Sequence, residues 1–322
     1  MTTTLPLLAD VESETLAAEL RTQLATVDAM IDRAADSKNA LFSGNTKHLA
    51  NATGQRVRPV LLLLAARFGQ ADNEAVVPCA VACELAHIAA RCHEDIAEEE
   101  TGAVVPAAAR WANSSVILTG DYLFLQAARI GLTMSEEVSA VYTAAVTRQV
   151  IGQLAQTVGP LPGEDALDHY RRAVADKTAG LTEACCRLGA LLSGADTPVA
   201  DALAAYGRHI GTALHFTGDL LDTASGATLR EGSRPLPVLH ARACAGDADS
   251  RLLRLLDADL SNDREQLAEA LELLHAHQAM DRARADQRQH VEAAIEALAP
   301  LPEVPAKQAL QQVAKNILAW AD

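Results

Sequence analysis

Aromatic side chains are scarce in this chain. Four Phe, four Tyr and two Trp make up 3% of 322 residues. A pocket that holds a cation on aromatic faces has little to build with here. Basic side chains are also in the minority, 27 Lys and Arg against 42 Asp and Glu, for a net charge of −15. A nucleic acid duplex or an anionic membrane surface would repel such a chain overall, which argues against nucleic acid as the partner. The longest apolar run, Pro59 to Ala66, is far too short to span a bilayer, so no transmembrane segment is expected. The N-terminal stretch MTTTLPLLADVESE has no basic segment followed by a long apolar core, so a secretory signal is not expected. Six Cys occur, at 79, 83, 92, 185, 186 and 244, with no CxxC pair. They read as buried free thiols of a soluble, cytoplasmic protein rather than as zinc ligands or disulfides.

The chain is instead rich in Ala and Leu, 49% hydrophobic overall and poor in β-branched runs. That composition favours helix, and helical period runs nearly throughout. Helices are expected at about 12–36, 56–70, 75–100, 106–131, 135–158, 164–194, 198–224, 235–257, 261–297 and 304–321. Breaks are expected at Ser43-Gly44-Asn45, Gly69 to Asp72, Gly159-Pro160-Leu161-Pro162-Gly163, Gly194 to Pro198 and Pro300-Leu301-Pro302. No linker suggests a second domain. The reading is one all-α domain over 1–322, an antiparallel helical bundle with residues 1–11 flexible, whose site is built from side chains on facing helices.

Four clusters carry possible chemistry. CHEDIAEEE, Cys92 to Glu100, puts five carboxylates within seven residues. Glu94 and Glu98 share one helix face, as do Asp95 and Glu99. Mg²⁺ is commonly held by one or two carboxylates and substrate phosphates, which suits this spacing; a solvated helix end would also explain it. In GDLLD, Asp219 and Asp222 lie three apart among apolar residues, consistent with a metal site or with a salt bridge to a helix-borne Arg or Lys. In GQRVRP, Arg56 and Arg58 open an apolar helix, either as a phosphate grip or as surface cations. Lys177 is one of only five Lys and lies mid-helix, either as a phosphate ligand or paired with Asp176 or Glu183.

In order, these pieces resemble the trans-isoprenyl (polyprenyl) diphosphate synthase family, from about Gly54 to Trp320. Gly54-Gln55-Arg56-Val57-Arg58-Pro59 resembles the family's basic motif. Glu84-Leu85-Ala86-His87 and His93-Glu94-Asp95-Ile96-Ala97-Glu98 resemble its first acidic region. RWANSSVILTGDYLFLQA (Arg110 to Ala127), Gly152-Gln153-Leu154-Ala155-Gln156 and Lys177-Thr178-Ala179 follow in register. GTALHFTGDLLD then stands in place of the second aspartate-rich motif, and LREGSRPLPVLHA in place of the closing element.

The resemblance implies an all-helical, Mg²⁺-dependent prenyltransferase that joins an allylic diphosphate to isopentenyl diphosphate. It implies Glu94, Asp95, Glu98, Asp219 and Asp222 at the metal, with Lys177 and Asp219 as the catalytic pair. It implies Arg56, Arg58, His87, Lys177, Gln153 and Arg234 on the substrates. It further implies a homodimer, or a heteromer with a paralogue that keeps the full motifs. Small residues Ala89 and Ala90 precede the first motif, where bulk shortens products in the family. The departures fall at the chemistry. Glu94 and Glu98 replace Asp, Gly218 replaces the leading Asp of the second motif, and His215 replaces Gln. Gln55 replaces Lys, and an Arg-Arg pair and a Gly-Lys-Pro loop are absent. Arg91 fills a usually apolar position three residues before Glu94. Three readings stay open: an active divergent prenyltransferase, a catalytically impaired regulatory subunit, and a terpene cyclase, which the shortage of aromatics disfavours.

Overall fold

A computed structural model describes residues 11–36, 56–70, 72–94 and 107–320, with the side chains of 107–112 left aside. Asp95 and Glu98, and with them Glu99, Glu100, Gly54 and Gln55, lie outside the described residues. Among the described residues there is no strand, and the all-α expectation holds. The helices are α1 (Glu14–Ala34), α2 (Val57–Ala65), α3 (Val76–Glu94), α4 (Ala107–Gly131), α5 (Glu136–Val158) and α6 (Ala166–Val174). A π-helical turn, Ala175–Ala179, follows. Then come α7 (Gly180–Leu192), α8 (Thr197–Ser225), α9 (Ala227–Arg230), α10 (Leu236–Ala243), α11 (Ser250–Leu256), α12 (Arg264–Ala276), α13 (Gln278–Ala297) and α14 (Pro305–Ala319).

Local chemistry sets most boundaries. Ser13, Ser135, Asp165 and Asp263 cap α1, α5, α6 and α12, each side chain accepting from a backbone N–H of the first turn. Pro lies in the first turn of α8, α10 and α14, where its missing N–H costs nothing. Two expected helices are divided. The 235–257 helix breaks after Ala243 around an extended Gly246, whose N–H donates to Asp249 Oδ2 at 2.8 Å. The 261–297 helix breaks at His277, whose backbone is extended and whose Nδ1 accepts from Ala279 N–H at 3.2 Å. An imidazole acting as a cap inside an otherwise helical pattern gives little signal in the periodicity.

Almost every side chain of α2 is buried, so it is apolar all round and lies central to the bundle. It packs on α7, which in turn packs along α8. The main apolar cluster joins α1, α2, α3, α7 and α14 with Leu203, Tyr206 and Ile210 of α8 and Val291 and Ala294 of α13. A second cluster gathers Tyr170 and Val174 with Phe216 and Leu220 of α8, residues of α10 to α12, and Ala279 to Ala283 of α13. Helices α8 and α13 therefore belong to both clusters. The passage between them on α8, at 213–222, is where the second acidic pair sits. The six Cys are free thiols, five buried and Cys244 partly exposed. No helix among the described residues is long and apolar enough to cross a membrane.

Candidate active site

Glu94 of the first acidic region meets Lys177. The π-helical turn Ala175–Ala179 carries Lys177, and Gly152 of α5 lets the two elements touch. A Cβ at position 152 would lie 2.3 Å from the Lys177 backbone nitrogen. Lys177 Nζ then lies 3.3 Å from Glu94 Oε1 and donates to Gln156 Oε1 at 2.7 Å. The alternative partners weighed for Lys177 are held elsewhere. Arg148 takes Asp176 at 2.9 Å and Glu183 at 3.4 Å, and Arg208 takes Glu183 at 2.8 Å. Glu94 has a second cation on its other oxygen, Arg91 Nη1 at 3.3 Å from Oε2.

On α8, Asp219 is fixed by two neutral donors rather than by the Arg or Lys weighed above. Its Oδ2 accepts from the Tyr170 hydroxyl at 2.6 Å and from the Leu236 N–H, first in α10, at 2.7 Å. Its Oδ1 lies 3.8 Å from His215 Nε2. Asp222, exposed one turn on, has its pKa raised by partial desolvation and by the charge of Asp219, opposed by Arg91 and His215. His215 links the regions. Its Nδ1 pairs with Thr178 Oγ1 at 2.9 Å. Burial lowers its pKa, and the charges of Asp219, Lys177, Glu94 and Asp222 all act on it. Glu94, Lys177, Asp219 and Asp222 therefore share one neighbourhood.

Beside it lies a cavity of roughly 240 Å³ whose polar lining is Arg56, Arg58, Glu84, His87, Thr178 and His215. Arg56 is committed to protein acids, Nε to Asp28 Oδ1 at 2.8 Å and Nη1 to Glu84 Oε1 at 3.3 Å. It closes the start of α2 with a left-handed backbone, φ 45°. A non-glycine residue held there costs energy that its two ion pairs help to offset. Arg58 differs: its buried Nε makes no hydrogen bond, and burial pushes its pKa down despite Glu84 nearby. His87 is driven well below the ordinary imidazole value by burial and by Arg58, Arg91, Lys177 and Arg56. A desolvated cation with an orphaned donor, beside neutral imidazoles, suits a small polyanion.

Two expected substrate residues, Gln153 and Arg234, do not line this cavity. Gln153 turns a buried Oε1 that makes no hydrogen bond, and it is Gln156, one turn on, that holds Lys177. Arg234 is exposed, two residues before the N–H that anchors Asp219. Tyr170 and Asp28 escaped the sequence reading altogether, since no spacing marks a Tyr on one helix as the partner of an acid 49 residues away. Glu84 was visible as part of its motif, but not as the partner of Arg56.

Among the described residues, no three His, Cys, Asp or Glu side chains converge into a complete metal-binding set. The donors present nevertheless fit a hard divalent cation. Glu94, Asp219 and Asp222 offer only carboxylate oxygens, and the mutual repulsion of Asp219 and Asp222 is what such a cation relieves.

Comparison with known proteins shows the family. A polyprenyl synthetase family model matches residues 39–274. The chain belongs to that family. It is 33% identical over 313 residues to a nonaprenyl diphosphate synthase of Mycobacterium tuberculosis, covering 94% of this chain and 93% of the relative. It is 31% identical to heptaprenyl diphosphate synthase component 2 of Geobacillus stearothermophilus, covering 92% and 96%. Among solved structures, a geranylgeranyl pyrophosphate synthase of Corynebacterium glutamicum complexed with calcium and isoprenyl diphosphate superposes with a TM-score of 0.86 at 30% identity. That match covers 96% of this chain and 98% of the other. The chain is thus a trans-prenyltransferase of the polyprenyl diphosphate synthase type, in a divalent-metal-dependent family.

Proposed function

We propose that this protein, as a single domain, condenses an allylic diphosphate with isopentenyl diphosphate, with Mg²⁺ at Glu94, Asp219 and Asp222 and at the sequence-neighbouring Asp95 and Glu98. The observation that carries the reading is the Lys177–Glu94 contact, which brings the cation of the π-helical turn to the acid at the end of α3. Bound Mg²⁺ supplies Lewis-acid neutralisation of the departing diphosphate. Lys177 exchanges Glu94 for oxygens of the allylic diphosphate and stabilises its growing charge, acting with Asp219 as the catalytic pair. Tyr170 and the Leu236 N–H hold Asp219 in place. Arg58 grips the diphosphate of isopentenyl diphosphate, and neutral His87 donates an N–H to it. Arg56, tied to Asp28 and Glu84, contributes fixed positive charge there. Gln153 and Arg234 join the substrates only from the margin of the site.

The assembly proposed is a homodimer. Leu118 and Leu125 on α4, then Leu132, are exposed at seven-residue intervals; Val150, Ile151, Leu154 and Val158 on α5 are exposed as well. Such a stripe suits a second copy of the chain. Free thiols fit the reducing cytoplasm. A heteromeric reading is favoured by the similarity to a protein named as component 2 of its synthase.

The test is incubation with Mg²⁺, isopentenyl diphosphate and allylic diphosphates of several lengths, with mass spectrometry of the products. Prenyl diphosphates extended by isoprene units are expected. No extension of any primer, together with altered rate or product length of a motif-complete paralogue on mixing, would establish the regulatory-subunit reading instead.

A further inference from the structure

Arg91 is placed where a bound cation belongs. It precedes Glu94 by three residues on α3, with Nη1 3.3 Å from Glu94 Oε2, while Lys177 Nζ is 3.3 Å from Oε1. Both oxygens of the one acid of the first motif that the structure describes are thus met by the protein's own cations. The Arg91 charge also reaches Asp222 on α8, and Arg58 and His87 in the adjoining cavity. The guanidinium thus pairs with the first acidic region, and its charge is felt by the second and by the basic cavity.

Stability does not explain this placement. The Arg91 side chain is 51% exposed, and ion pairs that exposed contribute little. Position 218 completes the picture. Gly218 lies one turn before Asp222 and offers no carboxylate, and a Cβ there would have nothing of the described residues within 4 Å. The space beside position 218 has room for an acid that Gly218 does not supply. A divalent ion beside Asp222 has no carboxylate from position 218 to help hold it, whereas a guanidinium needs none. It presents several N–H groups in a plane and grips phosphate oxygens in pairs.

We infer that Arg91 is a substrate-binding residue for the allylic diphosphate, turning from Glu94 to the phosphate oxygens and taking the place of one divalent ion that Gly218 cannot help to hold. This rests on the reading of the acidic region as the allylic diphosphate site. The probe is inorganic diphosphate, used with the full-length protein in two measurements. Calorimetry in EDTA reads metal-free binding, and electron paramagnetic resonance counts Mn²⁺ bound per chain at saturating diphosphate. Arg91→Leu should weaken metal-free binding about tenfold, a change of about 1.4 kcal/mol, while Arg91→Lys retains most of it. The double variant Arg91→Leu/Gly218→Asp should bind one more Mn²⁺ per chain than the parent. Arg91→Gln carries the same expectation as Arg91→Leu if the leucine variant does not fold. Unchanged diphosphate affinity on losing the guanidinium, or an equal Mn²⁺ count in parent and double variant, overturns the inference. Failure of the underlying reading looks different: the parent binds diphosphate through Arg91 yet extends no allylic primer.

Discussion

The hydroxyl of Tyr170 donates a 2.6 Å hydrogen bond to Oδ2 of Asp219, across 49 residues of sequence. Tyr170 is nearly buried and stacks on Phe216, with ring centroids 6.0 Å apart. The acid that the second motif presents is therefore oriented from inside the second apolar cluster. Tyr170→Phe keeps the ring and removes only the donor. It is expected to cost about 1–2 kcal/mol in chemical denaturation. Prenyl transfer should slow, with the loss in kcat rather than in KM for the allylic diphosphate. Full activity in Tyr170→Phe would show that Asp219 needs no such anchoring.

Two glycines should respond in opposite directions. A Cβ at Gly152 meets Lys177 N at 2.3 Å and Ala173 O at 2.9 Å, so Gly152→Ala must push the π-helical turn away from α5. Overpacking of this kind costs about 1–3 kcal/mol, and it should displace Lys177 from Glu94 and Gln156. Gly218 lies within α8 with nothing of the described residues near its missing Cβ, so Gly218→Ala should stabilise the protein by up to about 1 kcal/mol through helix propensity. Thermal melting of both variants checks the pair of signs.

Stability should fall on mild acidification. His209 on α8 and His290 on α13 meet with Nδ1 atoms 3.1 Å apart. Burial lowers both pKa values. Arg208 adds to the shift at His209; at His290, His209 and Arg171 add to it and Asp286 opposes it. His87 and His215 are lowered as well, again chiefly by burial. In the unfolded chain each imidazole takes up a proton near pH 6.5, while the folded chain resists it until lower pH. The unfolded state then binds more protons, so the stabilisation is complete above about pH 6.5 and is lost as pH falls below it. Denaturant midpoints between pH 7.5 and 5 should show this decline, and His209→Gln/His290→Gln should flatten it.

The exposed leucines of α4 should matter for assembly and not for folding. Leu118 and Leu125 are 60% and 67% exposed, so Leu118→Glu/Leu125→Glu removes little buried area from the monomer. On the proposed homodimer, the parent is expected to sediment as a dimer and the double variant as a monomer at the same concentration, with an unchanged helical circular dichroism spectrum. Identical sedimentation of the two would remove this face from the interface.

Much of this molecule is decided by short-range chemistry and could be read from the chain. Apolar period, Ser and Asp caps, first-turn prolines and Gly breaks mark the helices because each acts within a few residues. The ordered motifs around Arg56, His87, Glu94, Lys177 and Asp219 likewise announced an isoprenyl diphosphate synthase bundle before any contact was known. Which charges meet was beyond them. Asp176 and Glu183 lie close to Lys177 in sequence, Asp176 directly before it, yet Arg148 takes both and leaves Lys177 to Glu94. Asp219 is held by Tyr170 and a backbone N–H, and Arg56 by Asp28 from α1. Helical period states which face a side chain is on, not which face of another helix lies opposite. That second fact follows from how α5 and α8 pack around the π-helical turn, and only the tertiary structure decides it.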